Sequence, residues 1–130
     1  MYVLDTNTLI YFFKNQGRVS ARFLIEKPTE IAIPAIVIFE LQTGIAKSTS
    51  PQKRTRQLKS LMEAVSILPF SIEAAQVAAS IRAQLEKKGK PIGPYDVLIA
   101  GTALAHQATL VTHNLVEFNR VKGLKTEDWF

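Results

Sequence analysis

The chain contains no cysteine. That excludes a disulfide scaffold, a thiolate zinc site, a cysteine nucleophile and an iron–sulfur cluster. Two histidines are too few for a multi-histidine metal centre. No apolar run approaches the roughly 18–20 residues of a membrane span, so no membrane contact is expected. The opening MYVLDTN has no basic stretch and meets an acid at Asp5, so it does not read as a signal peptide. Neither GxGxxG nor a P-loop pattern occurs, which argues against a nucleotide-binding α/β protein. Any metal site must therefore be hard, built from carboxylates.

What is present fits a mildly basic cytoplasmic protein. The chain has 130 residues, 47% of them apolar, with 16 Lys+Arg against 11 Asp+Glu for a formal charge of +5. This is expected to close one core and form a single domain over residues 1–130. Short apolar runs at Tyr2–Leu4, Glu30–Ile33, Ser66–Phe70 and Thr109–Thr112 read as strands, with a further edge strand near Leu124–Thr126. Helical patterns lie between them. Thr6 and Asn7 are suitable caps for TLIYFFK, and Pro34 suits the first turn of a helix running to about Lys47. Gln52–Val65 reads as a helix packed on the one before it, followed by Ile72–Lys88, capped by Ser71, and Tyr95–Gln107. The alternation predicts an α/β fold: an α/β/α sandwich around a central, mainly parallel sheet of four to five strands.

The acids are the informative residues. Most have a Lys or Arg within four positions; Asp5, Glu40, Glu73 and Asp96 do not. Glu73 follows the cap Ser71, where a helix N-terminus favours negative charge. Asp5 ends an apolar strand, and ligands of open α/β sheets bind at the carboxyl ends of strands. Glu40 shares its helix face with Ile36, Val37, Thr43 and Gly44, and Asp96 shares its face with Ile99, Ala100 and Ala103. Each acid singly has an ordinary alternative: a turn acid, a distant ion pair, a helix-dipole partner. Together they would bury three locally unpaired carboxylates at several kcal/mol each, roughly. A shared divalent cation, Mg²⁺ or Mn²⁺, would offset that cost.

VLDTN at the start, the lone Glu40, PYDVLIAGTALAH around Asp96 and VTHNLVEFNRVKGLKTEDW at the end together resemble a PIN-domain ribonuclease, more narrowly the VapC toxins of type II toxin–antitoxin pairs. The resemblance spans nearly the whole chain. It implies a cluster of three or four acids that binds Mg²⁺ or Mn²⁺ and hydrolyses RNA to a 5′-phosphate and a 3′-hydroxyl. The matching residues are Asp5, Glu40 and Asp96, with Asp5 and Asp96 as direct metal ligands. Many relatives carry a fourth acid where this chain has Asn114; similar toxins often carry one three residues on, so Glu117 is placed in the site as the fourth catalytic acid, a surface pair with Arg120 being its ordinary alternative. Asn7, Thr112 and Asn114 are candidates for supporting or phosphate-contacting roles. His113 and His106 read as structural or solvent-facing; His106 lies about 15 Å along the helix from Asp96.

The resemblance also implies a VapB-type antitoxin, a homodimer formed through the helices carrying Gly44 to Leu61, and contact with DNA only through the antitoxin. Initiator tRNA is one RNA target such toxins cut. Lys47, Lys53, Arg54, Arg56 and Lys59, and separately Lys87, Lys88 and Lys90, are candidates to hold the phosphate backbone. Ile10, Tyr11, Phe12, Phe13, Phe23, Leu24 and Ile36–Phe39 exceed what a core of this size needs and are expected in part to line a partner groove. Two rival readings fit the sequence less well. A phosphatase using a strand-end Asp wants a second acid at position 7, which is Asn7. A non-catalytic PIN-like RNA- or protein-binding module would fit better had Asp5, Glu40 or Asp96 been lost.

Overall fold

Strand and helix alternate from end to end, as the pattern of apolar residues predicts. A computed structural model describes residues 1–130. The strands are β1 (Tyr2–Leu4), β2 (Ile31–Pro34), β3 (Ser66–Leu68), β4 (Thr109–Val111) and β5 (Lys125–Glu127). The helices are α1 (Thr6–Phe13), α2 (Val19–Ile25), α3 (Ala35–Ala46), α4 (Pro51–Ala64), α5 (Ile72–Lys87), α6 (Pro94–Ala105) and α7 (Leu115–Phe118). A 3₁₀ turn at Pro28–Glu30 leads into β2.

The strands form one five-stranded sheet in the order β3-β2-β1-β4-β5, with every pairing parallel. The chain therefore builds outward from β1 on one side, then crosses back to build on the other. β1 is the point where the winding reverses. In open parallel sheets that reversal opens a crevice at the carboxyl ends of the strands. Asp5 is the residue immediately after β1.

Contacts group α1 with α2 and α3, and α3 with α4, while α5 and α6 pack along each other. Right-handed crossovers set these two groups on opposite faces of the sheet. The α5–α6 contact is close because Gly101 has no side chain: a Cβ there would lie 2.6 Å from the Ala78 Cβ. α3 also meets α6, which draws the helices carrying Glu40 and Asp96 together. A cluster of 26 buried apolar residues fills the space between sheet and helices, with Val3, Leu4, Ile33, Ile99 and Leu110 fully enclosed.

Several local boundaries differ from the sequence reading. Asp5, not Thr6 or Asn7, caps α1: its Oδ1 accepts from the Thr8 amide at 2.9 Å. Pro34 pairs with Leu68 as the last residue of β2, so α3 begins one residue later. β3 stops at Leu68, before Pro69, and β5 sits one residue further on than expected. α6 begins at Pro94, whose fixed φ suits a first helical position. Helix α7 was not anticipated; four residues are too few to show a 3.6-residue period.

Candidate active site

Four acids from four separate elements face the carboxyl end of the sheet. Asp5 closes β1, Glu40 is carried by α3, Asp96 lies in the first turn of α6, and Glu117 lies in the first turn of α7. Asp5 is 4% exposed; the other three are half-buried.

Each side chain is held by a neighbour. The Asp5 amide donates to the Val111 carbonyl at 3.1 Å, continuing the β1–β4 ladder past the end of the strand. The buried Thr8 hydroxyl donates to the same carbonyl at 3.2 Å. Glu40 accepts from the Thr6 hydroxyl at 2.7 Å, so α1 positions both Asp5 and Glu40. Glu117 accepts from the Asn114 side-chain amide at 2.9 Å, and the Thr112 hydroxyl in turn accepts from the Asn114 backbone amide at 3.0 Å. Asn114 therefore supports an acid where it does not supply one. Arg120, an obvious sequence neighbour for Glu117, donates instead to the Pro91 carbonyl at 3.1 Å.

The charges are frustrated. Burial pushes the Asp5 carboxyl above its ordinary range; hydrogen bonds from Thr112 and Thr8 act against the rise, and the charge of Asp128 adds to it. Burial raises Asp96 as well, and the charges of Asp5, Glu117 and Glu40 add to the effect, bringing it to about 6. No salt bridge reaches any of the four acids. Three of them thus lie near enough to disturb the fourth.

The donor set is entirely carboxylate oxygen, which suits Mg²⁺ or Mn²⁺ and is unsuited to soft metals. The acids share one electrostatic neighbourhood, but no three of them already converge at ion-holding distance. Mutual repulsion opposes a tighter approach. The convergence expected from the sequence is therefore looser than a finished ligand shell.

Of the other candidates, Thr112 is fully buried beside Asp5, whereas Asn7 is exposed and its side chain makes no hydrogen bond. His106 caps the end of α6, its Nδ1 2.9 Å from the Thr102 carbonyl. His113 is exposed; its Nδ1 lies 2.9 Å from Asp128 and its ring stacks on Phe130 at 4.4 Å. Sequence reasoning missed Thr6 and Thr8. Their contacts, to Glu40 on α3 and to the Val111 carbonyl at the end of β4, depend on how distant elements pack.

Known proteins resemble this chain over nearly its full length. The PIN domain model matches residues 2–124. The chain is 36% identical over 129 residues to the tRNA(fMet)-specific endonuclease VapC of Salmonella typhimurium, covering 98% of this chain and 97% of that protein. It is 37% identical to ribonuclease VapC2 of Rickettsia felis, with 99% and 98% covered. Its fold superposes on the crystal structure of VapBC2 from Rickettsia felis bound to a promoter DNA fragment with a TM-score of 0.91, at 37% identity and covering 99% and 98% of the two chains. VapBC-1 from nontypeable Haemophilus influenzae gives a TM-score of 0.87 at 32% identity, with 98% and 97% covered. The likeness runs nearly the whole length of the chain, and the chain belongs to the PIN-domain family, in its VapC ribonuclease branch.

Proposed function

We propose that this protein is a divalent-cation-dependent endoribonuclease toxin, held inactive by a VapB-type antitoxin. The observation that carries the reading is that Asp5, Glu40 and Glu117 all lie near enough to Asp96 to act on its charge, beside the sheet's winding reversal and without a cation of the protein's own among them.

Asp5 and Asp96 would hold Mg²⁺ or Mn²⁺, and Glu117, steadied by Asn114, would complete the set. When bound, such an ion neutralises charge developing on the phosphoryl oxygens and lowers the pKa of a coordinated water. Glu40 has one oxygen committed to Thr6. Its second oxygen is available to take the proton of the water that attacks the phosphorus. Thr112 and Thr8 keep the Asp5 carboxylate oriented. Attack by water, not by the ribose 2′-hydroxyl, leaves a 5′-phosphate and a 3′-hydroxyl. Translation stops when the RNA cut is a tRNA; the Salmonella and Shigella relatives are named for initiator tRNA, and we carry that substrate over as the first to test.

The antitoxin is assigned to the groove between α1, α2 and α4. Phe12, Phe13 and Phe23 give it apolar lining, and Lys53 and Arg56 line it as well. An amphipathic helix with acidic flanks fits that surface, and a basic side chain beyond it would reach the acids. The relatives crystallised as VapBC on DNA, so contact with DNA is assigned to the antitoxin. A toxin homodimer is part of the same proposal and is read by light scattering.

The test is cleavage of initiator tRNA and of a mixed RNA pool with Mg²⁺, with EDTA, and with Asp96→Asn. Cleavage is expected only for the unaltered protein with Mg²⁺. Cutting that persists in EDTA would remove the mechanism; RNA binding without any cutting would favour a non-catalytic module.

A further inference from the structure

Glu40 borders a second feature. A cavity of about 400 Å³ opens between the end of α1, the middle of α3 and the start of α4. That volume falls within the roughly 300–1,000 Å³ of small-molecule sites. Ile10, Phe13 and Ile45 give it apolar walls, and Lys14 and Arg54 supply positive charge. Neither cation has a carboxylate partner. Arg54 is nevertheless fixed, donating to the Phe13 carbonyl at 3.3 Å and to the Gln57 side chain at 2.8 Å. The Ser48 hydroxyl accepts from the Ser50 amide at 2.9 Å and keeps its own proton to donate. Gly44 also lines the space, and nothing lies within 4 Å of where its Cβ would be.

We propose that this cavity receives one extruded nucleotide of the RNA strand, adjacent to the bond being cut. The base rests on Ile10, Phe13 and Ile45, and its phosphate is held by Lys14, Arg54 and the Ser48 hydroxyl. Single-stranded RNA is recognised through bases splayed out of the stack, so such a pocket favours loops over duplex. Charge complementarity selects the occupant: two unpaired cations and a free hydroxyl donor suit a phosphate, and an apolar wall suits a base. The proposal rests on the ribonuclease reading for its place in the reaction, but the pocket is testable without cleavage.

The test is ¹H–¹⁵N NMR on the full chain in EDTA, titrated with 5′-AMP, GMP, CMP and UMP. Saturable shifts at the Gly44 and Ser48 amides and the Arg54 Nε are expected with at least one of them. The matching nucleoside, lacking phosphate, should bind at least ten-fold more weakly. Gly44→Leu fills the open space and should weaken binding ten-fold or more; Lys14→Gln with Arg54→Gln should do the same. Melting curves confirm that each variant is folded, and Gly44→Ala, adding a single methyl, provides a second folded variant whose loss should be smaller. Shifts confined to the surroundings of Asp5 and Asp96, or equal binding by nucleoside and nucleotide, would overturn the proposal. So would dissociation of the proposed homodimer by Gly44→Leu in light scattering, which would assign this face to the second copy of the chain. Nucleotide binding without RNA cleavage by the unaltered protein would sink the ribonuclease reading and leave the pocket; cleavage without nucleotide binding would do the reverse.

Discussion

Two sets of acids lie close together at the carboxyl edge of the sheet, and they are treated in opposite ways. At the end of β5, Glu127 accepts from Arg22 at 2.6 Å and from the Trp129 indole at 3.1 Å, and Arg22 also lies over the Trp129 ring. Asp128 pairs with His113. Around the end of β1, Asp5, Glu40, Asp96 and Glu117 receive neutral hydrogen-bond donors and no cation, and they feel one another's charge, with Asp128 adding to the charge on Asp5. The first set ties the chain's last residues to α2 and to the turn after β4. The second costs folding free energy, and a carboxylate cluster kept at a cost is a feature of sites that bind cations. Neighbouring stretches of one sheet edge thus differ in whether their acids are paired with cations.

The largest expected effect separates the two sets by activity. Asp96→Asn should reduce RNA cleavage at least about 100-fold, by loss of a group acting on the transition state. Arg22→Gln should leave cleavage within about two-fold while lowering stability by about 1 kcal/mol, because its pair is only partly exposed and is supported by Trp129. Single-turnover cleavage and thermal melting, run on both variants, decide this. Equal loss of activity in the two would erase the distinction.

A second comparison uses the metal. Adding Mg²⁺ in excess should raise the melting temperature of the unaltered protein by roughly a few degrees, through binding to the folded state alone. Asp96→Asn should show little of this gain, and Arg22→Gln should keep it.

The pH dependence sharpens the contrast further. The folded protein holds the Asp96 proton more tightly than the unfolded chain does, with a pKa of about 6 against 3.8. Asp96 therefore favours folding most below 3.8, and that contribution is lost as pH rises through about 6. Burial shifts Asp5 in the same direction. In EDTA, melting temperature should rise as pH falls from 8 toward 5, and Asp96→Asn should flatten the rise. At pH 8 that substitution should itself stabilise the protein by about 1 kcal/mol, less than the full shift implies because the group is only partly buried. A flat profile in the unaltered protein would mean the acids do not feel one another.

The smallest effect on chemistry is expected at the α5–α6 contact, where the substituted residue bears no functional group. Gly101→Ala forces a methyl against Ala78 and should cost about 1–3 kcal/mol in stability. Activity per folded molecule should be unchanged, as measured by active-site titration against melting curves.

Much of this was legible in the residues. The alternation of short apolar runs with helical periods gave the parallel sheet because buried parallel strands read as continuous apolar stretches, as at Tyr2–Leu4 and Ile31–Ile33. Asp5, Glu40 and Asp96 stood out because they lack local cations. Their setting did not. Thr6 reaching Glu40 spans 34 positions, and Arg54 reaching the Phe13 carbonyl spans 41, contacts that depend on how helices cross. The basic stretch from Lys47 to Lys59 could be read but not placed; the fold sends Arg54 into the cavity beside Glu40 and Lys53 and Arg56 to the groove next to it. Of the apolar residues expected in part to line a partner groove, Phe12 and Phe23 stack at 4.5 Å within the α1–α2 layer, Val37 is fully buried, and Leu24 is 81% exposed. Apolar content alone does not separate those fates.

Asp5 has two duties, since one carboxylate both anchors the first turn of α1 and belongs to the acid cluster. Genetic selections for harmless versions of this gene would recover Asp5→Ala for mixed reasons, as the cell would carry less protein as well as idle protein. Asparagine at that position keeps the anchoring and discards the charge, so it is the substitution that reports on catalysis alone.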